Sequence, residues 1–470
     1  MSDKMNEEIG QEAARPGHNS GKELALDQSR KNYADAGKVL PGGTTRVTIK
    51  RTPVPIYMSH AEGAHLFDVD GNRYLDFVGN YTAAIHGSLF PPVAEALKRQ
   101  LDLGACYANP TEWEIKLAGV LADRVPAVQK VRFMNSGTEA VLFAVKAARA
   151  FTGRPAIAKL EGAYHGGYDW VEVSEASTPE NWGEDAPAST PYYDGMPQSV
   201  LDETVVLPMN DVEKSRRIIA ANADRLACVI VDMMPSRTGL IPLTPAYIDM
   251  LHEMAKAHGV VLISDEVLNF RYGYRGISEA FGFRPDLISF GKIIGGGLPI
   301  GAVGGRDEVM KVFDSSEGEP KLKQGGTFAA NPLSMVAGYT SMLSLTPNVF
   351  ERLAALGDRV RAGIAAIAAD LDLPICATGG GSIFRIHLLP VQPTNYRSAW
   401  TPPKAEALMK EIANGLLVRG YMIPSDSSAC CSTSMTTADI DAFLSALRDV
   451  LEQMPDAADR ITASIAERSA

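Results

Sequence analysis

The stretch whose reading decides the fold is Asp286-Leu287-Ile288-Ser289-Phe290-Gly291-Lys292-Ile293-Ile294-Gly295-Gly296-Gly297. A short apolar run reads as a buried strand, one lysine stands at its end, and three glycines follow. A lysine there is costly to bury unless it is paired or chemically used. In a partly desolvated pocket its amine loses basicity, turns nucleophilic near neutral pH and can form a Schiff base with an aldehyde. The glycines let the backbone approach a bulky ligand. Taken alone, the same residues also suit a surface lysine in a Gly-rich turn.

Working outward, six more apolar runs accompany Leu287 to Phe290: Val131 to Phe133, Ala156 to Leu160, Thr204 to Leu207, Cys228 to Met233, Val260 to Ser264 and Ile300 to Val303. Such near-continuous runs suit strands buried on both faces of a mostly parallel sheet. Helical periodicity falls between several of them, as in Glu139 to Ala150, Val212 to Asn222 and Pro245 to His258. The expected fold is therefore α/β, a doubly wound, mostly parallel seven-stranded domain with its ligand at the carboxyl ends of the strands. A smaller α+β domain follows, with helices over Val349 to Leu371, Lys404 to Arg419 and Thr437 to Met454, the last capped by Thr436 or Thr437. Upstream, Gln28 to about Val39 reads as a helix, His65 to Phe77 as a hairpin turning at Asp70-Gly71, and Asn80 to Ala84 as a small-residue loop. The expected division is a disordered polar tail at 1–27, a segment at 28–95 that joins the small domain, a large ligand-binding domain at 96–335 and a small domain at 336–470.

Composition bounds the function. The 470-residue chain carries a net charge of −11, which argues against nucleic acid and against an anionic membrane surface. No apolar run approaches a bilayer span. Five cysteines with no CxxC pair suit reduced thiols in a cytoplasmic protein. There is no Walker A pattern, no GxSxG elbow and no histidine spacing for a metal.

Four constellations fall at strand ends. Asn135-Ser136-Gly137-Thr138-Glu139 opens a helix, where free N–H groups and the positive dipole end suit a phosphate; an ordinary helix cap uses the same residues. Tyr164, in Gly162-Ala163-Tyr164-His165-Gly166-Gly167, suits stacking on a flat heteroaromatic ring, or an ordinary half-buried turn. Asp265-Glu266 closes a strongly apolar strand, where a carboxylate needs a cation such as a protonated pyridine nitrogen; a salt bridge is the alternative, and adjacent strand residues point apart, which disfavours a shared metal. Lys292 is the fourth. Together an aldehyde-reactive amine, an acid for a ring nitrogen, an aromatic for a ring face and a phosphate cup describe pyridoxal 5′-phosphate.

On these motifs, and on Gly326-Thr327-Phe328 with Asn331-Pro332, the chain from about Lys38 onward resembles the class III (subgroup II) aminotransferases of fold type I. It looks most like the glutamate-1-semialdehyde aminomutase branch and its β-amino-acid aminotransferase relatives. The resemblance implies that Lys292 bonds the cofactor and then moves a proton, and that Asp265 holds the pyridinium. It implies that Ser136, Gly137 and Thr138 bind phosphate, that Tyr164 stacks on the ring and that Asn210 lies near the cofactor. Thr327 would reach the phosphate of a neighbouring subunit, making an obligate homodimer with shared sites. Arg46, in Gly42-Gly43-Thr44-Thr45-Arg46, would bind a substrate carboxylate, with Tyr81 lining the same pocket and Arg385 as a second candidate.

The chain departs from the family pattern at Asp232-Met233-Met234-Pro235, where relatives carry Glu-Pro, and at Leu268-Asn269-Phe270-Arg271-Tyr272. It departs again at Ser425 to Cys431, which replaces a stretch bearing a substrate-site acid in the aminomutases. The expected activity is transfer of an amino group from an amino acid, including a β-amino acid, or another amine to a keto acid by a ping-pong route. The alternative is an intramolecular aminomutase.

Overall fold

The computed structural model describes residues 24–466. Of the expected tail, residues 1–23 lie outside the described residues. Leu24 is ordered against Tyr74, Leu417 and Met422, and the Ala25 carbonyl accepts a 2.8 Å hydrogen bond from Asn72 Nδ2. The tail reading therefore fails for the last residues of 1–27, because an apolar side chain there finds a core to join. The helix that follows runs Asp27–Ala36, stopping short of Val39 where Gly37, a poor helix former, intervenes.

Three strands come first: β1 (Met58–Glu62), β2 (His65–Asp68) and β3 (Arg73–Asp76). The turn between β2 and β3 centres on Asp70-Gly71, with Gly71 at φ +87° and the Asp68 carboxylate accepting from the amides of Asp70 and Asn72. Seven strands then build the large sheet: β4 (Lys130–Met134), β5 (Ala156–Leu160), β6 (Thr204–Leu207), β7 (Leu226–Val231), β8 (Val261–Asp265), β9 (Leu287–Gly291) and β10 (Gly301–Gly305). Their order is β4-β10-β9-β8-β7-β5-β6. Only β10 is reversed, running antiparallel to both β9 and β4, so the sheet is mostly parallel, as the apolar runs imply.

Both faces of this sheet are covered. The helix Gly137–Thr152 lays Ala140, Val141, Ala144, Val145 and Ala148 on one side. The helix Pro245–His258 lays Tyr247, Ile248 and Leu251 on the other. β7 stops two residues before the expected Met233. Asp232 leaves the ladder because its carboxylate accepts the amide of Met234 at 2.8 Å.

The last strands are β11 (Cys376–Gly380), β12 (Ile383–His387), β13 (Tyr421–Met422) and β14 (Ser428–Cys430). β11, β12 and β14 form an antiparallel sheet. β13 pairs in parallel with β3, Tyr421 opposite Leu75, so early and late chain share a sheet. Helix Pro347–Asp370 packs Leu356, Val360 and Ile364 into a core with Phe384 and Phe443. Thr436 caps the helix Thr437–Glu452 through a reciprocal box with Asp439. A helix at Ala457–Ala466 follows it, which the sequence reading did not anticipate.

The stretch expected as a plain loop at Asn80 to Ala84 is instead a left-handed turn. Gly79, Asn80, Tyr81 and Thr82 have φ of +52°, +46°, +55° and +74°. Each non-glycine there costs about 1–2 kcal/mol. The turn is held from both ends: the Asp76 carboxylate accepts the amides of Val78 and Gly79, and the Thr82 carbonyl accepts from Arg271.

Candidate active site

The carboxyl ends of β4, β5, β7, β8 and β9 deliver their following residues to one edge of the sheet, and Lys292 stands there directly after β9. Its backbone is left-handed, φ +49°, a strained setting for a residue with a Cβ and one that concentrates at functional sites. Burial pushes its amine down to about 8; Asp265 and Asp232 oppose the shift, and Arg271 adds to it. A fraction of Lys292 is therefore neutral near physiological pH, which nucleophilic chemistry needs.

Asp265 ends β8 and is nearly fully buried. Its Oδ1 accepts from Ser289 Oγ (3.1 Å) and from the Val267 amide (3.0 Å). Its Oδ2 lies 2.7 Å from Nδ1 of His165. Burial lowers the basicity of His165 against the pull of Asp265, so the ring is neutral, Nδ1–H donates to the carboxylate, and Nε2 is left buried with no partner among the described residues. The carboxylate is thus fixed in orientation while its charge stays available to a cation. Glu266 points the other way: it is buried and accepts the amides of Ile277 and Ser278. The two acids do separate across the strand.

The phosphate cup is a close-packed cradle. Ser136 Oγ caps the helix by accepting the Glu139 amide at 3.1 Å, leaving the amides of Gly137 and Thr138 at the dipole end. A Cβ on Gly137 would lie 2.6 Å from Val267, and one on Gly166 would lie 2.6 Å from Thr138 Oγ1. The glycines after Tyr164 therefore let two strand ends close on one another at the helix N-terminus. Tyr164 is 46% exposed, with the Arg237 guanidinium 5.2 Å from its ring centre and Arg237 anchored to Glu175 at 2.5 Å. An anion cup, an exposed aromatic face, an oriented carboxylate and a buried amine all border this edge, and these residues fit pyridoxal 5′-phosphate. Ser136, Gly137 and Thr138 would hold the phosphate, Tyr164 a ring face, Asp265 the ring nitrogen and Lys292 the aldehyde carbon.

Other expected residues fare differently. Asn210 accepts from the Thr244 amide and donates to the carbonyls of Pro242 and Thr394, so it locks loops together. Arg46 is exposed, donates to Asn80 Oδ1 at 3.0 Å and lies 5.8 Å over the Tyr81 ring. Thr327 is exposed in an exposed stretch with Phe328. Arg385 is buried on β12 and donates from Nη1 to the Ser236 carbonyl at 3.0 Å.

Sequence reasoning gave no role to four residues around Lys292 and Asp265. Asp232 is pushed up to about 8 by burial and then by Asp265, so at neutral pH it is largely a neutral acid; Asn269 donates to it at 2.5 Å. Arg271 is fully buried with no carboxylate partner among the described residues, donating to Ser382 Oγ (3.0 Å), the Thr82 carbonyl (2.9 Å) and the Cys431 carbonyl. Cys430 faces Arg271 and Lys292, with burial raising its thiol. His165 was quoted in its motif, and its place beside Tyr164 at a strand end was a usable signal. Two cavities, of about 420 and 200 Å³, are lined by other residues than Lys292, one by His252 and Arg306, the other by Arg385 and Asp426.

Known proteins match this chain along nearly its whole length. The family model for aminotransferase class-III covers residues 47–451. An omega-transaminase from Sphaerobacter thermophilus is 47% identical, with a TM-score of 0.88 over 90% of this chain and 97% of its own. A beta-phenylalanine aminotransferase from Variovorax paradoxus is 31% identical, with a TM-score of 0.82 over 91% and 94%. A glutamate-1-semialdehyde 2,1-aminomutase from Methanothermobacter thermautotrophicus is 35% identical over 427 residues, 90% of this chain and 99% of the relative. The chain therefore belongs to the class-III aminotransferases, enzymes whose cofactor is pyridoxal 5′-phosphate.

Proposed function

We propose that this enzyme is an aminotransferase that moves an amino group from an amino acid, including β-amino acids, or from another amine to a keto acid in two half reactions. The observation that carries the reading is the Lys292 amine, buried, partly neutral and placed by a strained backbone beside the oriented Asp265–His165 pair. When bound, pyridoxal 5′-phosphate supplies an aldehyde that takes up the substrate nitrogen and a protonated ring that accepts electrons from the substrate carbon. Asp265 keeps the ring nitrogen protonated, and His165 keeps Asp265 aimed. Lys292 would hold the cofactor's aldehyde carbon, and its freed amine would take the proton from the substrate carbon and return it one position along. Arg271 and the neutral acid Asp232 wall off water behind the amine. Arg46, above Tyr81, takes a substrate carboxylate at the mouth of the pocket. Thr327 and the exposed residues around it meet a second copy of the chain, completing the phosphate site there in a homodimer of the cytoplasm.

Two observations support transfer over intramolecular exchange. The wall of β14 nearest Lys292 presents the neutral thiol of Cys430, and the acid in the Ser425–Cys431 stretch, Asp426, is exposed. The similarity to the omega-transaminase is also higher than that to the aminomutase. The aminomutase reading keeps the support of the curated relatives that bear that name.

The test is a single turnover without acceptor. Cofactor-loaded enzyme is mixed with α-amino acids, β-amino acids and simple amines, and carbonyl product is counted per site. One free carbonyl per site from any donor class supports the proposal and names the class. Isomerisation of an amino-aldehyde, with no free carbonyl from any donor, overturns it.

A further inference from the structure

The larger cavity, of about 420 Å³, lies at the amino ends of β8 and β9, the sheet edge opposite Lys292. β8 is five residues long, so its two ends, and with them this edge and Asp265, stand about 13 Å apart. Three cations reach the cavity wall from separate elements. Lys256 comes from the last turn of the helix Pro245–His258, Arg284 from the loop before β9, and Arg306 directly after β10. All three are exposed. One carboxylate, Asp286, shares the wall. Its Oδ1 lies 2.8 Å from Arg306 Nε, and its Oδ2 accepts the Leu262 amide at 2.8 Å. That acid is therefore engaged with one cation of the three. Lys256 and Arg284 make no side-chain hydrogen bond or ion pair among the described residues, although the chain as a whole is acidic, with a net charge of −11. Lys256 suits the negative end of its own helix; Arg284 sits on no helix and has no such role.

The rest of the wall is apolar or aromatic. Phe151 and the ring of His252 line it together with the start of β8. His252 Nε2 accepts the Arg284 amide at 3.0 Å, so the ring carries its proton on Nδ1. That atom is buried and has no partner among the described residues.

We infer that this cavity binds a phosphate monoester carried on a flat ring, at a site separate from the phosphate cup at Ser136. The inference goes beyond amino transfer and does not depend on it. A phosphate dianion matches the two unpaired cations, Arg284 through a bidentate pair and Lys256 as a point charge. A lone carboxylate leaves one of them unmatched. The volume is that of a small-molecule site rather than of a free ion, and Phe151 and His252 offer faces to a ring.

The test uses cofactor-loaded enzyme, in which the cup at Ser136 is already filled. Calorimetric titration is run with AMP, pyridoxine 5′-phosphate, adenosine and inorganic phosphate. Pyridoxine 5′-phosphate has the cofactor's ring without its aldehyde, so it cannot bond a lysine. The two monoesters distinguish a nucleotide from a cofactor-like ligand, and either one binding at least about tenfold more tightly than both adenosine and inorganic phosphate supports the site. Lys256→Gln and Arg284→Gln each weaken that binding by about tenfold. Both changes are at exposed side chains away from the cofactor, so the visible absorbance of the loaded enzyme stays as in wild type and reports that the variants fold. No binding of either monoester, equal binding of inorganic phosphate or adenosine, or unchanged affinity in either variant overturns the inference.

Discussion

Replacing Lys292 by methionine removes the amine and keeps the volume, and its effect on the cofactor-free protein can be worked from burial alone. Lys292 is pushed from the usual 10.5 to about 8, chiefly by desolvation. The drop corresponds to about 3 kcal/mol. In the unfolded chain the lysine stays protonated up to about 10.5, whereas the folded protein sheds that proton near 8. The unfolded state therefore binds more protons across this window, and wild-type stability rises with pH through it. Lys292→Met has no such proton to lose. The stability of Lys292→Met minus that of wild type should fall by about 3 kcal/mol between pH values below 8 and above 10.5. Any constant difference between methionine and lysine packing cancels in that change. Urea unfolding of both proteins at one protein concentration, across that range, measures it. Parallel curves, differing in slope by under about 0.5 kcal/mol, would refute the claim that Lys292 is buried at the cost of its charge.

Further expectations follow from neighbouring residues. Arg271→Met leaves the carbonyls of Thr82 and Cys431 without their donor and frees the left-handed turn, so urea unfolding should register a loss of about 2–4 kcal/mol. The same change removes a cation that depresses Lys292, so the midpoint for its deprotonation should move up. Gly166→Ala forces a Cβ against Thr138 at a φ of +94°; cofactor affinity, read by dialysis against free cofactor, should drop by at least about tenfold, and an unchanged value would discard the cradle. Asp265→Asn keeps the shape and removes the charge, so kcat should fall by about 10²–10⁴ with the cofactor still bound, read by steady-state kinetics on the loaded enzyme.

Much of the fold was legible because the large sheet announces itself. Its strands are apolar on both faces, so Ala156 to Leu160 and Leu287 to Phe290 read as strands without help from their neighbours, and the helices between them carry plain periodicity. The strand ends were legible for the same reason: Asp265 and Lys292 are charges where an apolar run should continue. Their partners were not. His165 meets Asp265 across 100 residues of chain, and Arg271 reaches Thr82 and Cys431 from still further away. No local pattern encodes which of several strand ends converge. The left-handed turn at Gly79–Thr82 was hidden because Asn80, Tyr81 and Thr82 are not glycines, and tertiary bonds from Asp76 and Arg271 override their preference. For Asn210 a motif match implied a place near the cofactor, while the bonds its amide makes to backbone groups on other loops could not be read from the sequence.

The account turns on which lysine meets the cofactor, and the structure offers a rival. Lys159 is also fully buried, depressed by desolvation and tied to the Val173 carbonyl at 2.7 Å, on β5 rather than at the end of β9. The direct measurement is borohydride reduction of the cofactor-loaded enzyme followed by peptide mass mapping. The account predicts the cofactor fixed to the peptide containing Lys292 and to no other. Label on the Lys159 peptide, or no fixed label at all, would contradict it.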